Sequence, residues 1–255
     1  MQLADRIAES GHDVMIFSLE MSMNELIAKS ISRITYEKIK AENKPLSLAK
    51  TQIGITDGSR YYHYSDDEKK IISEAINDYQ NKVAQSLYIY ESVAEMTVKQ
   101  IGTIIDNHYE RTKKHPVVII DYLQLIQHED KYINSNDKLR TDINISSLKR
   151  LSRKHKIPII AISSFNRTNY GKESNLSSFK ESGGIEYSSD IIIGLDQTSV
   201  EQISGANLTK RNIRLSVMKN RQGEKDKSIE YSYIPAFNYY EEIGRIKDKP
   251  KTYDY

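Results

Sequence analysis

Short apolar runs that alternate with amphipathic stretches constrain the fold of this chain most strongly. Such runs occupy residues 14–18, 117–121 and 157–163, and helix-like periodicity separates them. Continuous apolar runs of this length are typical of strands that are buried on both faces of a parallel sheet. Strands that alternate with helices therefore predict an α/β domain with a mostly parallel central sheet and helices on both faces.

Capping signals and the spacing of apolar residues predict the remaining elements. The predicted helices are 24–34, 65–83, 97–108 and 137–156, of which the second and third open with capping boxes at Ser65/Glu68 and Thr97/Gln100. Residues 87–90 and 190–195 are predicted as further buried strands, and 36–64 as a surface excursion. Residues 213–219 and 229–234 alternate in polarity, which predicts antiparallel edge strands near the carboxyl terminus.

Composition excludes several classes of function. The chain has no cysteine, which excludes disulfide scaffolds, thiolate metal sites and cysteine nucleophiles. Its net charge is only +2, so any nucleic-acid contact must come from a local basic patch. No stretch approaches the ~20 apolar residues of a membrane span. We expect a cytoplasmic protein.

Two acidic residues follow the ends of predicted strands. Asp121 ends the strand 117–121, and Glu20 comes two residues after the strand 14–18. Open α/β sheets bind ligands at the carboxyl ends of their strands. There Asp121 could hold Mg²⁺ through water, and Glu20 could polarise a water that attacks a phosphate. Alternatively, Asp121 caps a turn and Glu20 complements the amino end of the next helix.

Two cations, Lys219 and Arg221, alternate along an extended segment that reaches Gly223. Side chains two residues apart lie on one face of a strand, so this pair could straddle a phosphoryl group during its transfer. The alternative is a solvated hairpin edge, where lysine is common because it opposes edge-to-edge association. Without further context the spacing favours that alternative.

A cation and a glycine pair occur together in residues 180–186, Lys-Glu-Ser-Gly-Gly-Ile-Glu. Lys180 and the backbone amides around Gly183 could hold the phosphates of a single nucleic-acid strand. An ordinary loop before a helix is the alternative. The six histidines show no metal-ligand spacing, and we predict that His108 is a packed helix residue.

Five motifs in a fixed order carry a family resemblance over residues 1–240. They are Phe-Ser-Leu-Glu-Met-Ser (17–22), Ile-Ile-Asp-Tyr-Leu-Gln (119–124), Ile-Ser-Ser-Phe-Asn-Arg (162–167), Lys-Glu-Ser-Gly-Gly-Ile-Glu (180–186) and Met-Lys-Asn-Arg-Gln-Gly (218–223). The chain resembles the motor domain of DnaB-type replicative helicases, most closely those of phages and mobile elements. This resemblance implies a RecA-like fold, a hexameric ring, ATP and Mg²⁺ at subunit interfaces, and single-stranded DNA in the central channel.

The resemblance also implies roles for the residues of a nucleotide site. Glu20 would be the catalytic base and Asp121 the magnesium ligand. Lys219 and Arg221 would reach the γ-phosphate that a neighbouring subunit binds. A primase or a helicase loader is a further expected partner.

By the same resemblance, Lys180, Glu181 and Gly183 would hold the DNA backbone, and Ser164 and Arg167 would belong to the nucleotide-sensing segment. Ser164 stands where the family usually has glutamine, and its shorter side chain reaches less far toward a γ-phosphate. Arginine is more usual than lysine at position 180, and lysine keeps the charge but loses bidentate geometry.

The sequence contains no G-x-x-x-x-G-K-[ST] phosphate loop, a motif that the resemblance places immediately before residue 1. We therefore expect residues 1–245 to form a domain without its first strand and phosphate loop, and residues 246–255 to form a flexible tail. One interpretation is a truncated helicase motor with impaired ATP binding. The alternative is a catalytically inactive RecA-like module that binds or assembles without hydrolysing ATP.

Overall fold

The computed structural model describes residues 1–91, 95–164, 183–203, 208–225 and 227–246. They form two compact units that divide after Ser164. Each unit contains its own four-stranded sheet. In the described part of the chain, no helix combines the length and apolar character needed to cross a membrane.

The first unit is built on a parallel sheet with the strand order β2-β1-β3-β4. Its strands are β1 (Val14–Ser18), β2 (Leu87–Glu91), β3 (Val117–Asp121) and β4 (Ile159–Ala161). The last residue of β1, Ser18, is paired in register with Glu91 on one side and Asp121 on the other. All five residues of β1 are buried, because β1 is a central strand of a sheet that helices cover on both faces; four of the five are therefore apolar.

Helices cover both faces of this sheet. The helices of the first unit are α1 (Gln2–Glu9), α2 (Met23–Ala41), α3 (Gln52–Thr56), α4 (Gly58–Tyr61), α5 (Asp66–Lys82), α6 (Val98–Thr112), α7 (Lys131–Asn134) and α8 (Asp137–His155). Residues of α1, α2 and α5 share a hydrophobic cluster with Val14 and Ile16. The ring of His108 in α6 packs on Tyr88, whose neighbours Leu87 and Ile89 belong to that cluster. Because side chains alternate along a strand, α6 lies on the opposite face.

The structure confirms some predicted helices and corrects others. The capping boxes at Ser65 and Thr97 begin α5 and α6 as predicted. Helix α2 extends to Ala41, well beyond the predicted end at residue 34, so the surface excursion begins later. In α8, the apolar side chain of Leu139 is 39% exposed. Polar residues of α8 are buried instead, because they bind main-chain carbonyls of the segment after β3.

The second unit contains α9 (Gly183–Ser188) and an antiparallel sheet of β5 (Ile191–Gln202), β6 (Thr209–Asn220), β7 (Ser228–Ile234) and β8 (Tyr239–Ile246), in that order. The antiparallel pairing predicted for residues 213–219 and 229–234 is confirmed, but β6 and β7 are the two central strands of this sheet and not edge strands. The prediction that residues 190–195 form a buried strand is wrong. Strand β5 lies at the edge of the antiparallel sheet, and its alternate residues Ile191, Ile193 and Leu195 are 55%, 50% and 57% exposed. Residues 247–255 lie outside the described residues.

Candidate functional site

The parallel sheet brings the two predicted catalytic acids to the same edge. Asp121 ends β3 beside Ser18, and Glu20 follows Ser18 by two residues. The N–H of Leu19 donates a hydrogen bond to the main-chain carbonyl of Asp121 at 2.8 Å, which ties the two connections together. Glu20 is exposed and Asp121 is half-buried, so a ligand at this edge can reach both carboxylates.

Local hydrogen bonds determine how the chain turns after β1. The Ser18 hydroxyl donates to the main-chain carbonyl of Met21 at 2.6 Å. Ser22 then begins α2, and the carboxylate of Glu25 accepts a hydrogen bond from the Ser22 N–H at 2.9 Å. Because Glu25 completes the capping box, capping of α2 does not require Glu20.

The connection after β3 places a polar side chain, Gln124, beside the same edge. Its amide nitrogen donates to the Ser163 hydroxyl at 2.8 Å, and the Arg140 guanidinium donates to its main-chain carbonyl at 3.1 Å. Its side-chain oxygen is buried and has no hydrogen-bond partner in the described part of the structure. Gln124 is the last residue of the motif at 119–124, but the sequence pattern predicted no role for it. The sequence did contain one indication that Gln124 lies near the site, because it stands three residues after Asp121.

In the second unit, the predicted pair of cations contacts the carboxyl end of α9. The Lys219 ammonium donates to the main-chain carbonyl of Glu186. The Arg221 guanidinium donates to the main-chain carbonyl of Tyr187 at 2.6 Å and lies 3.4 Å from the carboxylate of Asp190. Both cations thus lie on one side of their segment and bind protein groups, and Arg221 is also 43% exposed.

Comparisons with known proteins identify the family. The model of the DnaB-like helicase C terminal domain matches residues 1–242. The chain belongs to this family. The replicative DNA helicase DnaB of Geobacillus stearothermophilus is 25% identical over 98% of this chain and 50% of its own length. The Helicobacter pylori helicase of the same name is 26% identical over 74% of this chain and 35% of its own length. This DnaB-like chain therefore spans half or less of the length of these curated relatives.

Solved structures support the RecA-like fold of the DnaB-like chain. A solved ATPase domain superposes with a TM-score of 0.76 at 21% identity, over 94% of this chain and 78% of that one. A DnaB-like replicative helicase, described together with its interactions with primase, superposes with a TM-score of 0.74 over 93% of this chain and 52% of that one. These likenesses show the fold.

The residues at the carboxyl edge fit a magnesium ion that is bound mainly by a nucleotide. Mg²⁺ usually binds through one or two carboxylates together with waters and substrate phosphates. Asp121 offers one accessible carboxylate, and the buried oxygen of Gln124 offers an acceptor for a water. Over the described ranges, no group of three or more His, Asp or Glu side chains could hold a metal by itself.

The other residues predicted from the DnaB-type resemblance are only partly described. Ser164 is exposed three residues after the end of β4, and Gly183 is the first residue of α9. Arg167, Lys180 and Glu181 lie outside the described residues. His108, which was predicted to be a packed helix residue, is fully buried.

Proposed function

We propose that this chain is the ATP-driven motor of a DnaB-like helicase. It binds Mg²⁺ and ATP at the subunit interfaces of a hexameric ring in the cytoplasm and translocates on single-stranded DNA. The observation that carries the proposal is the placement of Glu20 and Asp121 on neighbouring connections at the carboxyl edge of the parallel sheet. Membership of the DnaB-like family supports it.

The two acids have separate roles in this proposal. Asp121 binds and orients the magnesium ion, which neutralises phosphate charge when it is bound. Glu20 accepts a proton from the attacking water, a role suited to a carboxylate that is exposed at the edge. Gln124 holds a water in place through its unpaired oxygen.

The remaining roles come from outside the carboxyl edge. Lys219 and Arg221 stabilise the phosphate charge in the site of the neighbouring subunit. Lys180, Glu181 and Gly183 hold the DNA backbone. A relative of known structure is described with its interactions with primase, and we propose that a primase is also a partner of this chain.

Turnover requires a phosphate loop, which the 255 residues do not contain. The test therefore joins the phosphate-loop segment of the Geobacillus stearothermophilus relative ahead of Met1. Phosphate release is measured with single-stranded DNA present. We expect turnover in the ~1–100 s⁻¹ range in the joined protein, and none at that rate in the 255 residues alone.

In the joined protein, Glu20→Gln and Asp121→Asn should each lower turnover by about 10²–10⁴-fold. Glu25→Gln is the matched control, since it makes the same chemical change five residues from Glu20 and keeps a residue that supports the capping box. Wild-type turnover in the Glu20 or Asp121 variant would overturn that residue's role. A joined protein that folds but never hydrolyses ATP would favour the inactive assembly module.

A further inference from the structure

The amino edge of the parallel sheet, opposite Glu20 and Asp121, gathers the segments that precede the four strands. Hydrogen bonds join these segments side by side. The bonds run from Val14 N–H to Ser86 O (2.7 Å), from Val117 N–H to Asp13 O (2.8 Å) and from Val118 N–H to Pro158 O (3.0 Å). The segments before β2, β1, β3 and β4 therefore form one continuous row.

Three of these four segments carry exposed cations. They are Lys82 before β2, Lys113 and Lys114 before β3, and Arg153, Lys154 and Lys156 before β4. These six residues are called the basic edge below. Asp106 of α6 links the ends of α6 and α8, because its carboxylate lies 3.4 Å from the Lys154 ammonium and 3.5 Å from the His155 ring.

Helix ends explain only part of this charge. Cations stabilise the carboxyl end of a helix, but the effect falls off within the last turn. Lys114 and Lys156 lie beyond the last residues of α6 and α8, which are Thr112 and His155. Six cations therefore lie along one edge of a sheet in a chain whose net charge is only +2.

Acidic neighbours do not make the basic edge unavailable. Lys114 pairs with the buried carboxylate of Asp13 at 3.0 Å, so the test below leaves this lysine unchanged. Lys82, Lys113 and Lys154 form ion pairs with carboxylates of α5 and α6, yet they remain 62%, 66% and 65% exposed. Exposed ion pairs contribute little to stability. Phosphate oxygens can therefore replace these carboxylates at small cost.

An aromatic pair beside the cations favours a nucleic acid over an acidic peptide. The rings of Tyr109 and His115 lie 4.9 Å apart, and the Lys113 ammonium is 5.6 Å from the centre of the Tyr109 ring. Tyr109 is 36% exposed. Cations along a backbone path combined with exposed rings are typical of surfaces that bind single strands. Four neighbouring strands span roughly 14 Å, which is room for a few nucleotides.

We propose that the basic edge binds the phosphate backbone of a single-stranded nucleic acid, as a second contact surface on the side of the sheet away from Glu20 and Asp121. Recognition through phosphates is independent of base sequence. The proposal uses residues other than 180–183, which are the DNA contact of the proposed function.

Fluorescence anisotropy on two unrelated single-stranded oligonucleotides, across a salt series, tests the proposal. The variant Lys113→Gln/Lys154→Gln/Lys156→Gln is compared with Lys44→Gln/Lys70→Gln/Lys99→Gln, which removes the same charge from exposed lysines that do not precede a strand of the sheet. At ~0.7 per lost phosphate contact, the first variant should flatten the log–log salt slope by about 2 and weaken binding about tenfold for both sequences. The control should bind like the wild type.

Three outcomes would overturn the proposal. Equal weakening by the two variants would show an effect of net charge alone. If the first variant had a lower melting temperature but bound DNA as well as the wild type, the role of these cations would be to stabilise the ends of helices. Capture of poly-glutamate without measurable binding of DNA would identify an acidic protein as the partner.

The absence of cysteine allows a direct second test. Lys156→Cys and the control Lys70→Cys are labelled with a photoreactive maleimide and irradiated with single-stranded DNA. Only the first should crosslink, and equal crosslinking of both would contradict the proposal. Repeating the test with Lys180→Gln separates the two DNA surfaces. Crosslinking that persists supports the basic edge whether or not the role of residues 180–183 holds, and crosslinking that disappears overturns an independent surface.

Discussion

Acidic residues stand at both edges of the parallel sheet, and they differ in their surroundings. Asp13, at the amino edge, is 1% exposed. Its carboxylate lies 3.0 Å from the Lys114 ammonium and 3.1 Å from Nε2 of His108, the latter without hydrogen-bond geometry. At the carboxyl edge, Glu20 is exposed and Asp121 is half-buried. Within the described residues, neither of these two side chains contacts a cation or a hydrogen-bond donor.

The acid at the amino ends of the strands is therefore structural, whereas the acids at the carboxyl ends are available for chemistry. Asp13 contacts cationic and imidazole groups of the folded chain, so its charge stabilises the fold. Glu20 and Asp121 keep their charge accessible, so a ligand can use it. The following predictions test whether the two edges differ in this way.

The largest expected effect concerns the positive charge that chemistry at the carboxyl edge requires. In the joined protein, Arg221→Ala should lower turnover by about 10³-fold, and Lys219→Ala should also lower it, because both cations are proposed to act on the neighbouring subunit's phosphates. Arg221→Ala subunits should poison wild-type rings in a mixing experiment. Glu20→Gln subunits, which keep an intact Arg221, should partly rescue them. Strictly additive activity would place Arg221 in its own subunit's site or outside the chemistry.

The second effect is a difference in stability between the edges. Asp13→Ala should lower the free energy of unfolding by about 1–2 kcal/mol, since it removes a buried carboxylate that accepts a hydrogen bond from Lys114. Asp121→Ala should change it by no more than about 0.5 kcal/mol. Urea denaturation of both variants provides the measurement. Equal losses would remove the distinction between the edges.

The third effect is a pH dependence that arises at the amino edge. Burial lowers the pKa of His108; the charge of Asp13 opposes this shift, and Arg111 and Lys114 reinforce it. The folded protein therefore favours the neutral ring, whereas the unfolded chain takes up a proton near its ordinary pKa of about 6.5. Stability should be retained above that pH and should fall as the pH drops toward the folded-state pKa, by at most about 1.4 kcal/mol per pH unit.

Unfolding measured across pH 5–8 tests the role of His108. His108→Gln should reduce the slope on the acid side, although its ring contact with Tyr88 is also lost. His63→Gln, at an exposed histidine, should leave the slope unchanged. Identical slopes in the two variants would assign the acid sensitivity to other groups.

The smallest expected effect concerns the helix ends at the amino edge. Lys156 follows α8 with a φ of 53°, in the left-handed region. Glycine adopts this region without a steric penalty, so Lys156→Gly should raise stability by about 0.5 kcal/mol. We expect a small rise in the melting temperature of the Lys156→Gly variant. A lower melting temperature would show that the lysine side chain stabilises the protein by more than its left-handed backbone conformation destabilises it.

The placement of Glu20 and Asp121 at the carboxyl edge was predictable from sequence because it follows from the topology of the parallel sheet. Continuous apolar runs predicted β1 and β3, and parallel strands end at the same edge, so Glu20 and Asp121 had to lie near each other. The same rule failed at β5. The run Ile-Ile-Ile-Gly-Leu at 191–195 is as apolar as a buried strand, but the sequence does not show which face of a strand is covered.

Polar contacts between distant residues were not predictable. Gln124 meets Ser163, and Arg221 meets the carbonyl of Tyr187, across 39 and 34 positions in the chain. Neither contact produces a periodic signal. Arg140 and Asn144 were likewise not predicted. Their side chains are buried because they donate hydrogen bonds to the main-chain carbonyls of Gln124 and Ile126, and not because they lie on an apolar face of the helix.

The contacts of Lys219 and Arg221 with α9 have a consequence for mutational work. Helix α9 has six residues, and the carbonyls that bind the two cations are three and four residues after Gly183, about 5–6 Å along the helix axis. So short a segment moves as one piece, and a substitution at either end displaces the other. Changes at Gly183 and at Arg221 are therefore not independent. Their combined effect should differ from the sum of the single effects, and a double-mutant cycle will measure the difference.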